Sequence, residues 1–198
     1  MVSAIILAAG LSKRMGNANK LLLPYKNKTV IAAVSENILN GGIEEVIVVT
    51  GFEAEQIQHA LKSLPVQFIN NPDYEKGMTT SIKQGINTAK GNGYMICLSD
   101  MVLIEPAEYA LLQSAFKDHL KLDEKCICMP RYKNEKGNPV IFSSFYKETI
   151  LKHEDMEGCK EIVQLNKNHI HWVEMDAPHI LQDMDYPEDY ELLKTIHF

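Results

Sequence analysis

Between residues 10 and 20 the chain sets Gly10, Gly16 and three cations, Lys13, Arg14 and Lys20, directly behind an apolar run, within ILAAGLSKRMGNANKLLLP from residue 6 to residue 24. Glycines allow a backbone to turn its N–H groups inward where side chains would obstruct, and such a concavity binds anions. An arginine fork meets phosphate oxygens two at a time, and a lysine supplies a compact point charge. These residue types at this spacing describe a cradle for a polyphosphate. It is not a Walker loop, because Gly16 is followed by Asn17 and Lys20 by Leu21. Nor does GLSKRMG have dinucleotide-binding G-x-G-x-x-G spacing, and Glu36, the nearest later acid, falls inside a predicted helix.

Carboxylates that could hold a cation against those phosphates come from two other places. Asp100 ends the predicted strand GYMICLSD, and in open α/β sheets the ligand crevice lies beyond the carboxyl ends of the strands. It is the preferred Mg²⁺ ligand, since that ion takes hard oxygen donors and shares them with substrate phosphates. A second carboxylate is expected from QDMDYPED, where Asp183 and Asp185 stand two apart and point to one side of an extended chain; they are taken jointly, and capping of the last helix is the competing role. Asn71, Gly77, Thr80 and Ser81 suit contacts to a base and ribose, because Gly77 permits close backbone approach and hydroxyls at a helix start bind oxygen atoms. Helix capping is the other role open to Thr79 or Thr80.

The elements that must position these residues follow from the hydrophobic pattern. SAIIL, Ser3 to Leu7, is a strand; a helix stripe through Val30, Ile31, Val34 and Ile38 stops at Gly41-Gly42; EVIVVT from Glu45 to Thr50 is a β-branched central strand. A helix from Glu53 to Lys62, a strand from Val66 to Ile69, a helix from Thr79, and the strand ending at Asp100 continue the alternation. Beyond them come a helix from Pro106 to Leu122, strands CICMPRY and NPVIF about the turn KNEKG, short helices from Phe145 to Leu151 and from Lys160 to Asn166, the strand HIHWVEM, and a last helix begun by Pro187. The expected fold class is α/β: a three-layer α/β/α sandwich with a Rossmann-like, mostly parallel sheet, the later segments forming a lid over the crevice. At 198 residues and 45% hydrophobic, residues 1–198 are read as one domain.

A net charge of −6 argues against general affinity for nucleic acid or an anionic membrane, so phosphate binding must be local. No apolar run approaches the ~20 residues of a membrane span. Cys97, Cys126, Cys128 and Cys159 lack C-x-x-C spacing and no signal peptide precedes the first strand, so a reduced, cytoplasmic protein is expected. His169 and His171 alternate on one strand and are read as exposed strand histidines rather than metal ligands; Cys126 and Cys128 share a face as small hydrophobes.

LAAGLSKRMG followed by NKLLLP resembles the signature loop of the MobA-like nucleotidyltransferases. NNPDYEKGMTTSIKQGI, LSDM, GNPVIF and LQDMDYPEDY continue the resemblance in family order to residue 190, and within the family the chain looks most like the molybdenum-cofactor cytidylyltransferases. The resemblance implies a nucleotide-diphospho-sugar transferase type of fold, and transfer of CMP from CTP to the phosphate of molybdopterin with release of pyrophosphate, Mg²⁺ serving as cofactor. It implies that Arg14 binds the β- and γ-phosphates, that Lys20 reaches the α-phosphate, and that Leu7, Ala8, Ala9, Gly10, Leu11, Ser12 and Lys13 line the nucleotide. Gly137, Asn138 and Pro139 would stand by the acceptor, and a molybdenum hydroxylase could receive the product. A sugar or polyol phosphate as acceptor, and a non-catalytic carrier of a finished cofactor, are the other readings. The chain departs from the family at Val102, where many relatives carry proline, and at EGCKEI, residues 157–162, where an acidic Gly-Asp-x-Gly stretch is expected.

Overall fold

A computed structural model describes residues 1–15 and 18–197. Strand β1 (Val2–Ala8) is buried along nearly its whole length. Ala4, Ile6 and Ala8 join one core while Ile5 joins another, the period-two alternation that a strand with both faces covered must show. The two-residue strands β2 (Pro24–Tyr25) and β3 (Lys28–Thr29) form a separate hairpin. Helix α1 (Val30–Asn40) opens on Thr29, whose hydroxyl accepts from the Ala32 amide. At its end Gly41 leaves room for the helix that carries Tyr109, since a Cβ there would come within 2.7 Å of the Tyr109 Cβ.

β4 (Glu45–Thr50), α2 (Ala54–Ala60), β5 (Gln67–Asn70), α3 (Met78–Thr88) and β6 (Gly93–Leu98) complete the parallel half. α4 (Pro106–His119) starts with a reciprocal cap between Glu105 and Glu108 and stops short of Leu122. β7 (Ile127–Tyr132), β8 (Glu135–Lys136), β9 (Val140–Ser143), α5 (Lys147–Lys152), α6 (Lys160–Leu165), β10 (Ile170–Glu174) and α7 (Pro187–His197) follow.

The sheet runs in the order β10-β7-β9-β6-β1-β4-β5, with β8 paired to β7. All pairings are parallel except those of β9 with β6 and β7 and of β8 with β7. Side chains from α1, α2, α4 and α7 pack into one core and those from α3, α5 and α6 into the other, the expected three layers. Because β1, β4 and β6 run in register, Ala8 opposite Thr50 and Leu7 opposite Leu98, the loops that leave their carboxyl ends converge at one end of the sheet. Those loops carry the residues singled out above. No helix among the described residues is long and apolar enough to cross a membrane.

Candidate active site

The loop after β1 is shaped by a left-handed backbone at Ser12 (φ 50) and by a 3-10 turn, Lys13–Met15, whose last amide donates to the Ser12 carbonyl at 2.9 Å. Met15 and Leu21 are buried anchors on either side of the segment. A second 3-10 turn, Lys20–Leu22, is capped by Asn19, whose carbonyl oxygen accepts from the Leu21 amide at 3.1 Å while its amide donates to Glu53 at 2.9 Å. The Lys20 amide donates to the Ser12 hydroxyl at 3.3 Å. The backbone of Lys20 is thus held from three directions, and its stem is aimed back across the loop.

There the Lys20 ammonium donates to Asp100 Oδ2 at 2.5 Å and to Asp185 Oδ1 at 2.8 Å. Its side chain is 17% exposed and that of Asp100 10%, so these charges meet with little water between them. Burial pulls the Lys20 ammonium down, but Asp100 and Asp185 outweigh it and the net shift is upward, so the lysine is cationic here. The hydrogen bond from Lys20 holds the Asp185 carboxyl below the usual carboxylate range against the opposing effect of burial, with Arg14 helping. Arg14 pairs with the other oxygen of Asp185 and lies 5.6 Å above the Tyr186 ring, yet is 61% exposed. Asp183 behaves oppositely: burial pushes its carboxyl up, and the charges of Asp100 and Asp185 push the same way.

Asp183 and Asp185 are on one side because Met184 between them is buried in the core. The capping of the acidic turn falls to Asp189, which accepts from the Asp185 and Tyr186 amides at 3.0 and 2.7 Å. Three carboxylates therefore face the cavity of about 540 Å³ that Arg14 and Lys20 also line. Such a donor set, hard oxygens in excess of the cations beside them, fits a divalent ion.

Of the residues singled out for the nucleotide, Leu7, Ala9, Gly10, Leu11, Ser12, Gly77 and Ser81 line this same cavity. Ala8 does not; it is packed into the core beneath. Asn71 is fully buried: its amide donates to the Thr80 and Ser81 hydroxyls at 2.9 Å each, and its carbonyl oxygen accepts from the Asp73 amide at 3.0 Å. Neither Asn71 nor Thr80 is among the residues that line the cavity; both direct their side-chain polar groups to holding the first turn of α3. Thr79 is not a cap either; its hydroxyl donates to the Asp155 carbonyl and accepts from the Gly158 amide at 3.0 Å. Gly16 and the side chain of Lys13 lie outside the described residues.

A second cavity of about 420 Å³ adjoins the first, sharing Met78 and Leu98 as a wall. Gly137 and Asn138 line it, while Pro139 is buried beside it. Gly137 is required by close packing, since a Cβ there would sit 2.4 Å from the Ile180 carbonyl oxygen. The floor is apolar, with Ile82, Met129, Val140 and Phe142, and Lys136, Glu157 and Lys160 are at its rim. The departing segment 157–162 therefore borders this cavity.

Tyr74, Met78 and Ser99 also line the first cavity, and none stood out in the sequence. The Ser99 hydroxyl donates to the Leu7 carbonyl at 2.6 Å, joining the ends of β6 and β1. Tyr74 had one signal: Gly51, just after β4, where a Cβ would come within 2.7 Å of the Tyr74 Cγ and 2.9 Å of the Ala9 Cβ. His169 and His171 are partly buried rather than exposed, each facing Asp123 Oδ2 at 2.9 and 3.3 Å, with His171 stacked on His119. Cys126 and Cys128 are buried in the core.

Comparison with known proteins places residues 4–172 within the model of the MobA-like NTP transferase domain. The molybdenum cofactor cytidylyltransferase of Escherichia coli K12 is 24% identical over 190 residues, 96% of this chain and 93% of that one. The solved structure of a nucleotidyl transferase from Methanothermobacter superposes with a TM-score of 0.86 at 22% identity, over 98% of this chain and 96% of that one. A manganese complex of a Mycobacterium tuberculosis H37Rv protein does so at 0.73 and 21%, over 98% of each chain.

Proposed function

The chain belongs to the MobA-like NTP transferase family, and from that premise we propose that it transfers CMP from CTP to the terminal phosphate of molybdopterin, releasing pyrophosphate, with residues 1–198 acting as one domain. The observation that carries this reading is the meeting of Lys20, Arg14 and three aspartates in one cavity whose wall is shared with a second, apolar-floored cavity.

The loop of Gly10, Leu11 and Ser12 receives the triphosphate, with Arg14 on the β- and γ-phosphates and Lys20 at the α-phosphate. An oxygen of the acceptor phosphate forms a bond to the α-phosphorus as the bond to the bridging oxygen breaks, and that oxygen leaves on pyrophosphate. Charge grows on the α-phosphoryl and leaving oxygens in this step, and Lys20 and Arg14 offset it from fixed positions. Asp100, Asp183 and Asp185 would hold Mg²⁺, which would supply charge neutralisation to the phosphates. The manganese complex of the structural neighbour agrees with a divalent ion.

Ile82, Met129, Val140 and Phe142 offer the face of a flat heterocycle apolar contact, and Asn138, Glu157, Lys160 and Gln164 suit its polar edge, which supports a pterin as the acceptor. The Ala9 methyl on the nucleotide wall and the LAAG spelling of the loop support cytidine over guanosine. Pyrophosphate release is to be measured with each of the four triphosphates and Mg²⁺, with molybdopterin, with a sugar phosphate, and with neither. Release specific for CTP and dependent on the pterin is expected. Release with the sugar phosphate instead, or firm cofactor binding without release, overturns the proposal.

A further inference from the structure

We propose that Lys20 is a resident cation: it occupies the place between Asp100 and Asp185 in the metal-free protein and swings to the triphosphate when a divalent ion takes those carboxylates. This rests on the reading of the three aspartates as the metal site. The ammonium stands 2.5 Å from Asp100 Oδ2 and 2.8 Å from Asp185 Oδ1, and Mg²⁺ binds carboxylate oxygens at about 2.1 Å. The two positive centres would compete for the same carboxylate oxygens.

Only the stem of Lys20 is free to move. Its amide is tied to Ser12, Asn19 caps its turn, and Leu21 anchors the next position in the core. The stem lines the same cavity as Gly10 and Ser12, so a released ammonium remains beside the loop that receives phosphates. Arg14 is poorly placed to take over the role; it is mostly exposed and, of the three aspartates, pairs with Asp185 alone among the described residues.

Without nucleotide, the metal must compete with this lysine. With nucleotide present, Lys20 gains phosphate oxygens in exchange for the carboxylates, so each ligand eases the binding of the other, as linkage requires.

The test is Mn²⁺ binding to metal-free full-length protein, read as the loss of the free Mn²⁺ resonance, for wild type, Lys20→Met and Lys20→Arg, without nucleotide. Lys20→Met is expected to bind roughly 10- to 100-fold more tightly than wild type, within the usual range of site-to-site coupling. Lys20→Arg keeps a cation and stays near wild type. Metal-free Lys20→Met should also melt lower and gain more from saturating Mn²⁺, a difference that a lysine serving only the fold would not produce. Should Lys20→Met fail to fold, Lys20→Gln carries the same expectation. Affinity in the neutral variants equal to or below that of wild type, or no binding by any of these proteins, overturns the proposal. Failure of the transferase reading shows differently: no triphosphate is turned over although the lysine still competes with Mn²⁺.

Discussion

Gly51→Ala tests the packing behind two residues, Tyr74 and Ala9, that line the larger cavity. The new Cβ would lie 2.7 Å from the Tyr74 Cγ, 2.8 Å from the Tyr74 Cβ and 2.9 Å from the Ala9 Cβ, all closer than carbon atoms approach. The colliding atoms are the root of the tyrosine and a methyl on the backbone of the phosphate loop, so neither can yield by a simple rotation. Overpacking of this kind costs about 1–3 kcal/mol. For a chain of this size that is a fall in Tm of roughly 2–10 °C. If Tyr74 gives way, a lining residue of the cavity moves, and KM for the triphosphate should rise about 3- to 10-fold while kcat falls less, because Lys20, Asp100 and Asp185 stand on loops other than that of Tyr74. Melting and steady-state kinetics are to be measured for Gly51→Ala, Tyr74→Ala and the double variant. Removing the ring relieves the collision with Cγ, so the two penalties should sum to less than additive. Strict additivity, or a Gly51→Ala protein with wild-type Tm and KM, would refute the packing argument.

Lys20→Ala should lower turnover by roughly two to four orders of magnitude if it offsets charge at the α-phosphate, as measured by pyrophosphate release at saturating substrates. Arg14→Ala should raise KM for the triphosphate but leave Tm nearly unchanged, because an ion pair this exposed contributes at most about 1 kcal/mol; a large loss of stability would contradict that. Asp100→Asn should shift the Mg²⁺ titration of activity to higher concentration while the fold persists; a wild-type titration would remove Asp100 from the metal. Asp183→Asn should raise the metal-free Tm at pH 7. Its folded pKa lies above the unfolded value, so the ionised carboxyl costs stability above the folded pKa, and the cost fades as pH falls through it. The gain should therefore vanish in acid, and a fall in Tm at pH 7 would contradict the crowding of the three acids.

The parallel half of the sheet was legible because β1, β4 and β6 are buried on both faces, which writes them as unbroken apolar runs. The place of Asp100 was legible for the same reason, although the strand closes at Leu98 and the acid lies two residues on, in the turn at the carboxyl end of the sheet. A buried amide bracing a helix and an exposed one reading a base are the same letter, so the bracing of α3 by Asn71 could not be read from the sequence. α4 was drawn too long: Leu120 and Leu122 continue the apolar pattern, but the chain has already turned, and Leu122 is 86% exposed. Tyr74 and Met78 could not be found from spacing, since their place on the wall depends on how the turn before α3 packs across the ends of β1 and β4.

Met78 and Leu98 are a party wall between the two cavities. A methionine there is compliant, so the partition can lean toward whichever chamber holds the bulkier guest. If the proposed function holds, a change made at residue 78 to admit a different acceptor would also be felt by the nucleotide, and selection for a new substrate on one side would retune the other.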